Sequence, residues 1–170
     1  MNQSREIKIA LGVLASLLLI APFSIDLGPI PLTLQTFCIF IGASLLSWRS
    51  AAIVVLIYLA SGALGLPVFG HHTAGFEKLH GATSGFLWGF VLCAIFVSIE
   101  SARKEFHFYR AIIVLVQAHL LLLIPGFLVL YYQLPGADLW ATLMKLLPGL
   151  IIKSIIGGII ASQIRRLLYR

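Results

Sequence analysis

Charge is what this chain has least of. Only 11% of its 170 residues are charged, where a soluble domain carries about 25%, and Asp and Glu together number six. Two cysteines, Cys38 and Cys93, both in apolar runs, exclude a disulfide-stapled scaffold and read as small buried hydrophobes. No G-x-x-x-x-G-K-[ST] string is present, so nothing here cradles a nucleotide phosphate, and any ATP-driven work must come from a partner. No H-E-x-x-H is present either, and no cysteine pair at metal-ligand spacing. What remains is apolar: 60% of the residues are hydrophobic and the mean hydropathy is +1.03.

That composition predicts an integral membrane protein of the all-α class, in one domain spanning residues 1–170. Six apolar runs separate at polar breaks, over residues 7–23, 34–48, 51–66, 83–99, 111–132 and 140–168. The second and third are short and divided only by Arg49 and Ser50. The sixth is long and carries Pro148-Gly149, which predicts a break or kink. The first lacks a small-x-small cleavage site before Pro22 and reads as retained.

The basic residues orient the spans. Arg5, Lys8, Arg49, Arg103, Lys104, Arg110, Arg165, Arg166 and Arg170 all fall at the N-terminus, in the 2–3 and 4–5 connections, or at the C-terminus. Basic residues favour the cytoplasmic side, so six transmembrane helices with both termini cytoplasmic are expected, in the cell's cytoplasmic membrane. The formal net charge of +6 is then explained by anionic lipid and calls for no nucleic acid. Trp48 and Trp140 stand at span ends, as interface anchors do.

The outward connections, residues 24–33, 70–82 and 133–139, hold the chemically varied side chains. Residues 29–37 read P-I-P-L-T-L-Q-T-F, a polar island at the mouth of a span. Polar groups at membrane depth cost free energy unless partnered. Thr33 alone could serve as a helix N-cap, but Gln35 and Thr36 exceed that need and point to ligand contact. Lys153 lies about one turn past the Pro-Gly pair, where a charge costs about 2.5–3.5 kcal/mol on insertion scales. It is the strongest single candidate for a ligand contact.

Other constellations carry two readings each. His71, His72 and His80 share a loop with Glu77, as solvated loop histidines or as a metal site, and no metal is expected. Ser84 with His119 suggests the dyad of an intramembrane serine protease, but the G-x-S-G motif fails at Ala82. Gly12, Ala15 and Ser16 in the first span, and Gly157, Gly158, Ala161 and Ser162 in the last, allow close helix approach. Each set serves either internal packing or docking to another membrane subunit.

Three strings together resemble a known family: P-x-T-x-Q-T over residues 31–36, G-L-P-V-F over 65–69 within the apolar run that starts at Arg49, and G-A-T-S-G-F-L-W-G-F over 81–90. They are similar to the biotin transporter BioY, the substrate-binding S component of an energy-coupling-factor (ECF) transporter, and the likeness runs from about residue 29 to 153. The resemblance implies a six-helix subunit that is not an enzyme and has no cofactor. It captures biotin from outside and works alone or with a transmembrane T component and two ATPases. On that reading Thr33, Gln35 and Thr36 contact the polar rings, with Thr83 beside them. Phe69, Phe86 and Trp88 pack the apolar parts, and Lys153, with His80, meets a carboxylate or carbonyl. Two departures stand out: Leu150 where the family pattern P-G-D-x-x-K has an aspartate, and Phe86 where it has a tyrosine. Either other acceptors such as Gln35 substitute, or the ligand is a different vitamin-like molecule.

Overall fold

Six α-helices account for most of the chain in the computed structural model, which describes residues 3–25, 32–103 and 106–169. They are α1 (Gln3–Ile20), α2 (Gln35–Ser44), α3 (Trp48–Ala63), α4 (Ser84–Arg103), α5 (Phe108–Gln133) and α6 (Leu139–Leu168). A two-residue antiparallel ladder, β1 (Ser24–Ile25) with β2 (Leu32–Thr33), pairs Ser24 with Thr33 and Ile25 with Leu32. Two short 3₁₀ turns, Gly70–His72 and Phe76–Leu79, shape the connection between α3 and α4. The prolines of the polar island, Pro29 and Pro31, lie outside the described residues, as do Lys104 and Arg170 of the basic set.

The all-α expectation holds, with two differences in the lengths of the helices. Helices α4, α5 and α6 are long and apolar enough to cross a membrane. The second run yields a helix of only 10 residues, which rises about 15 Å at 1.5 Å per residue, half of a bilayer's ~30 Å hydrocarbon core. It stops because Leu45 caps its C-terminus and Ser47 already caps α3, its hydroxyl accepting from the Ser50 amide.

The exposed carbonyls that such a stop creates are satisfied by side chains of distant helices. Ser98 Oγ donates to Leu46 O at 2.6 Å and Tyr169 Oη to Leu45 O at 2.8 Å. Arg165 donates to Ser44 O and, at 3.3 Å, to Ser101 Oγ. Arg165 is therefore more than an inward-facing anchor. Replacing it with methionine removes a charge-assisted bond and leaves the Ser44 carbonyl with Ser101 Oγ, at 3.2 Å, as its side-chain donor. The expected cost is about 2 kcal/mol, read as a lower unfolding temperature in detergent.

The sixth helix corrects the expected break. Pro148 and Gly149 lie inside an unbroken helix from Leu139 to Leu168. A proline removes one backbone hydrogen bond, and the other turns of a 30-residue helix carry it through. The same holds for Pro125 within α5.

The core sits where α2 and α3 meet α4 and α5, around the fully buried Phe40, Tyr58, Leu59, Cys93 and Leu115. Both cysteines are free and buried. The two small-residue sets part company. Gly158 packs so closely on α5 that a Cβ there would lie 2.7 Å from the Ile112 amide nitrogen, so the α6 set serves internal packing. Among the described residues Gly12 has nothing within 4 Å of its Cβ position, and both Gly12 and Ala15 are exposed while Ser16 is partly buried. Internal packing therefore does not account for Gly12 and Ala15.

Candidate functional site

Helices α2, α4, α5 and α6 and the connection after α3 enclose a cavity of about 270 Å³, just under the ~300–1,000 Å³ usual for small-molecule sites. β2 and the first turn of α2 bring Thr33, Gln35 and Thr36 to its wall. The loop supplies Phe69, His71 and Lys78. Thr83 lies just ahead of α4, which contributes Phe86 and Phe90; α5 contributes His119 and Leu122, and α6 contributes Leu146, Leu150 and Lys153. Two lysines line the space, and no carboxylate does so among the described residues.

The polar island is wired inward. Thr33 Oγ1 donates to Gln35 Oε1 at 2.8 Å, Gln35 Nε2 donates to Tyr58 Oη at 2.6 Å, and Tyr58 Oη donates to Val68 O at 2.8 Å. Thr33 is therefore no N-cap: Leu34 holds that position without a side-chain bond. The relay ties the start of α2 to α3 and to the loop, and Phe69 packs edge-on against Tyr58 with ring centroids 5.9 Å apart. Buried polar networks hold a single geometry when every member is satisfied. One lone pair of Gln35 Oε1 and one proton of its Nε2 remain outside the relay.

Lys153 comes to the same wall from the opposite side. Its Nζ donates to Thr36 Oγ1 at 2.8 Å and to Thr33 O at 3.2 Å. Residues 117 and 120 apart in sequence thus share one end of the cavity. Among the described residues that ammonium has no carboxylate partner there: Leu150, one turn earlier on α6, is buried and presents only methyl groups.

Seven of the nine sequence candidates line the cavity: Thr33, Gln35, Thr36, Phe69, Thr83, Phe86 and Lys153. Trp88 and His80 do not, which corrects their placement. Thr83, just before α4, and Phe86, Leu87 and Phe90 on it face inward, the spacing of one helix face. Trp88 falls off that face, is 48% exposed, and donates its indole N–H to Leu79 O at 3.1 Å. His80 follows the Phe76–Leu79 turn on the exposed side, its ring 4.8 Å from that of Phe76.

The protease dyad does not form either. His119 bonds Leu115 O, Thr36 Oγ1 and Ser154 Oγ, and Ser84 is not among its partners. His71, His72, His80 and Glu77 make no group that could hold a metal ion, and none is found among the described residues.

A family model described as "BioY family" matches residues 1–170. The chain belongs to the BioY family. A member named "Biotin transporter BioY" from Thermotoga maritima is 38% identical over 102 residues, covering 59% of this chain and 60% of that one. "Biotin transporter BioY2" from Lactococcus lactis subsp. cremoris is 35% identical over 118 residues, covering 69% and 64%. "Biotin transporter BioY" from Rhizobium etli is 29% identical over 163 residues, covering 90% and 87%. The chain thus spans about three fifths of the length of the first two. A crystal structure of "the S-component for biotin from an ECF-type ABC transporter" shares the fold, with a TM-score of 0.80 at 23% identity over 98% of this chain and 95% of that one.

Within this BioY chain, sequence reading missed Tyr58, Lys78 and His119 as parts of the site, while Leu150, noted there as a departure from the family pattern, does line the cavity. Tyr58 and His119 reach it through bonds that span 23 and 83 residues, so no local spacing marks them. Lys78 was visible only as an isolated cation in an outward loop.

Proposed function

We propose that this chain captures biotin from outside the cell as the substrate-binding S component of an ECF-type transporter, alone or with a T component and ATPases. It would sit in the cytoplasmic membrane as a single multi-pass domain with both termini cytoplasmic, in contact with lipid and not with nucleic acid. The observation that carries the reading is the cavity itself. It offers a fixed amide at Gln35, aromatic walls at Phe69, Phe86 and Phe90, and a buried-side cation at Lys153, with Lys78 at the loop side. A neutral bicycle with an anionic tail matches that set. The relatives' names supply the ligand, and the absence of a P-loop leaves energy to partner subunits. Gly12 and Ala15, small and outward-facing on α1, are the proposed contact for such a partner, with Ser16 beside them.

Calorimetric titration of the purified protein with biotin is the test. Saturable binding in the nanomolar to micromolar range is expected, and none up to millimolar would sink the assignment. A second reading, another vitamin-like ligand, is favoured by one observation: Leu150, buried at the cavity wall, stands where the resemblance implies an aspartate. Competition of labelled biotin by related carboxylates separates the two. Gln35→Ala is expected to weaken biotin binding by about 1 kcal/mol, the scale of a buried neutral hydrogen bond.

A further inference from the structure

Three helices bring a chain of polar groups together beside Lys153. Lys153 Nζ donates to Thr36 Oγ1 at 2.8 Å, and that oxygen lies 3.2 Å from His119 Nε2. On the far side of the ring, Nδ1 is 2.9 Å from Leu115 O and 2.9 Å from Ser154 Oγ. Phe40 closes the ring in, edge to face, with centroids 4.7 Å apart.

The two ends of this chain have fixed roles. An ammonium only donates and a carbonyl only accepts. A lone pair on Nδ1 facing Leu115 O at 2.9 Å would be repelled, so the proton sits on Nδ1. At the other end Lys153 occupies a lone pair of Thr36 Oγ1. Among the described residues Thr36 Oγ1 bonds Lys153 and His119 and no third group. The Thr36 hydroxyl proton therefore has one acceptor, His119 Nε2. The opposite tautomer would let Nδ1 accept from Ser154 Oγ, but it would fill both Thr36 lone pairs, leave the Thr36 proton unpaired and set a bare Nδ1 against the Leu115 carbonyl.

We propose that His119 is a positioning residue of the ligand site: by accepting the Thr36 hydroxyl proton on Nε2, it turns the Thr36 lone pairs towards Lys153 and fixes where the ammonium points. Thr36 Oγ1 and Thr33 O then take two of the three ammonium protons. The third is left for an acceptor in the cavity. On this tautomer Ser154 Oγ and Leu115 O, each 2.9 Å from Nδ1, share its proton and hold the ring from behind. The site's ligand rests on the biotin reading above, whereas the tautomer does not.

Two measurements test this on the full-length protein in lipid nanodiscs. With ¹⁵N-labelled histidine and no ligand, the spectrum of His119 is expected to show Nδ1 protonated and Nε2 bare; a proton on Nε2 would overturn the proposal. Biotin affinities are then compared for wild type, Thr36→Val, His119→Phe and the double variant. Each single change is expected to weaken binding about tenfold, and the double change no more than either single one, because both cut the same link. Additive losses, about a hundredfold in the double variant, would mean that His119 acts only through packing. Should wild type fail to bind biotin, the ligand assignment falls and the tautomer measurement still decides on His119.

Discussion

Lys153→Met is expected to weaken biotin binding by about 2 kcal/mol, roughly thirtyfold in Kd, with the fold retained. Methionine keeps much of the stem's length and removes the charge. The ammonium donates to Thr33 O and Thr36 Oγ1, neither of them ionised, and no carboxylate lines the cavity among the described residues. A cation held in that way gains most from an anionic ligand, because the ligand supplies the missing counter-charge in a poorly hydrated space. The methyl ester of biotin provides the control. It lacks the anion, so its affinity is expected to change by less than about threefold between wild type and Lys153→Met. Titration calorimetry on both ligands separates the cases. An unchanged biotin affinity removes Lys153 from the site, and an equal loss for acid and ester shows contact with a neutral acceptor instead. Lys78 at the loop side is partly exposed, and water screens its charge, so Lys78→Met is expected to matter less.

Residue type at membrane depth made this much of the site readable beforehand. Lys153 and the trio Thr33, Gln35 and Thr36 stood out because polar groups among apolar ones are costly, and a chain keeps them where they have partners. The identity of the partners was not readable. Gln35 is held by Tyr58, which sits within the apolar run I-V-V-L-I-Y-L-A as an ordinary aromatic. His119 looked like one half of a dyad, and its counterpart proved to be Ser154 on α6 and not Ser84. Trp88 and His80 failed for a geometric reason: composition identifies aromatic and basic side chains, and helical phase decides which face they take. Trp88 is two residues from Phe86 on α4, a rotation of about 200°, and so turns to the outside. Length was the other blind spot. The run ahead of Arg49 offers only Ser47, the α3 cap, as a sign that Leu45 and Leu46 leave the helix. That stop depends on Ser98, Ser101, Arg165 and Tyr169, whose hydrogen bonds arrive from 52 to 124 residues away.

Gly85→Leu is expected to be the most damaging single change to the scaffold, at about 3 kcal/mol. A Cβ at Gly85 collides with the Pro125 carbonyl, a backbone atom that no rotamer change can move. Gly89, one turn on, would place its Cβ 2.8 Å from Leu122 Cδ1, the end of a side chain that can turn aside. Gly126 faces the ring of Phe86, so the two helices lock together beside the cavity wall. Relief at Gly85 therefore requires α5 to shift, and α5 carries His119 and Leu122 into the site. Stability and biotin affinity are expected to fall together for that reason. Gly12→Leu on α1 is the matched control: among the described residues nothing lies within 4 Å of its Cβ position, and it is expected to stay within about 0.5 kcal/mol of wild type. Thermal unfolding in detergent compares the pair. Equal stability of the two variants would mean that α4 and α5 are not held at this distance, and would remove the rigid wall on which the cavity depends.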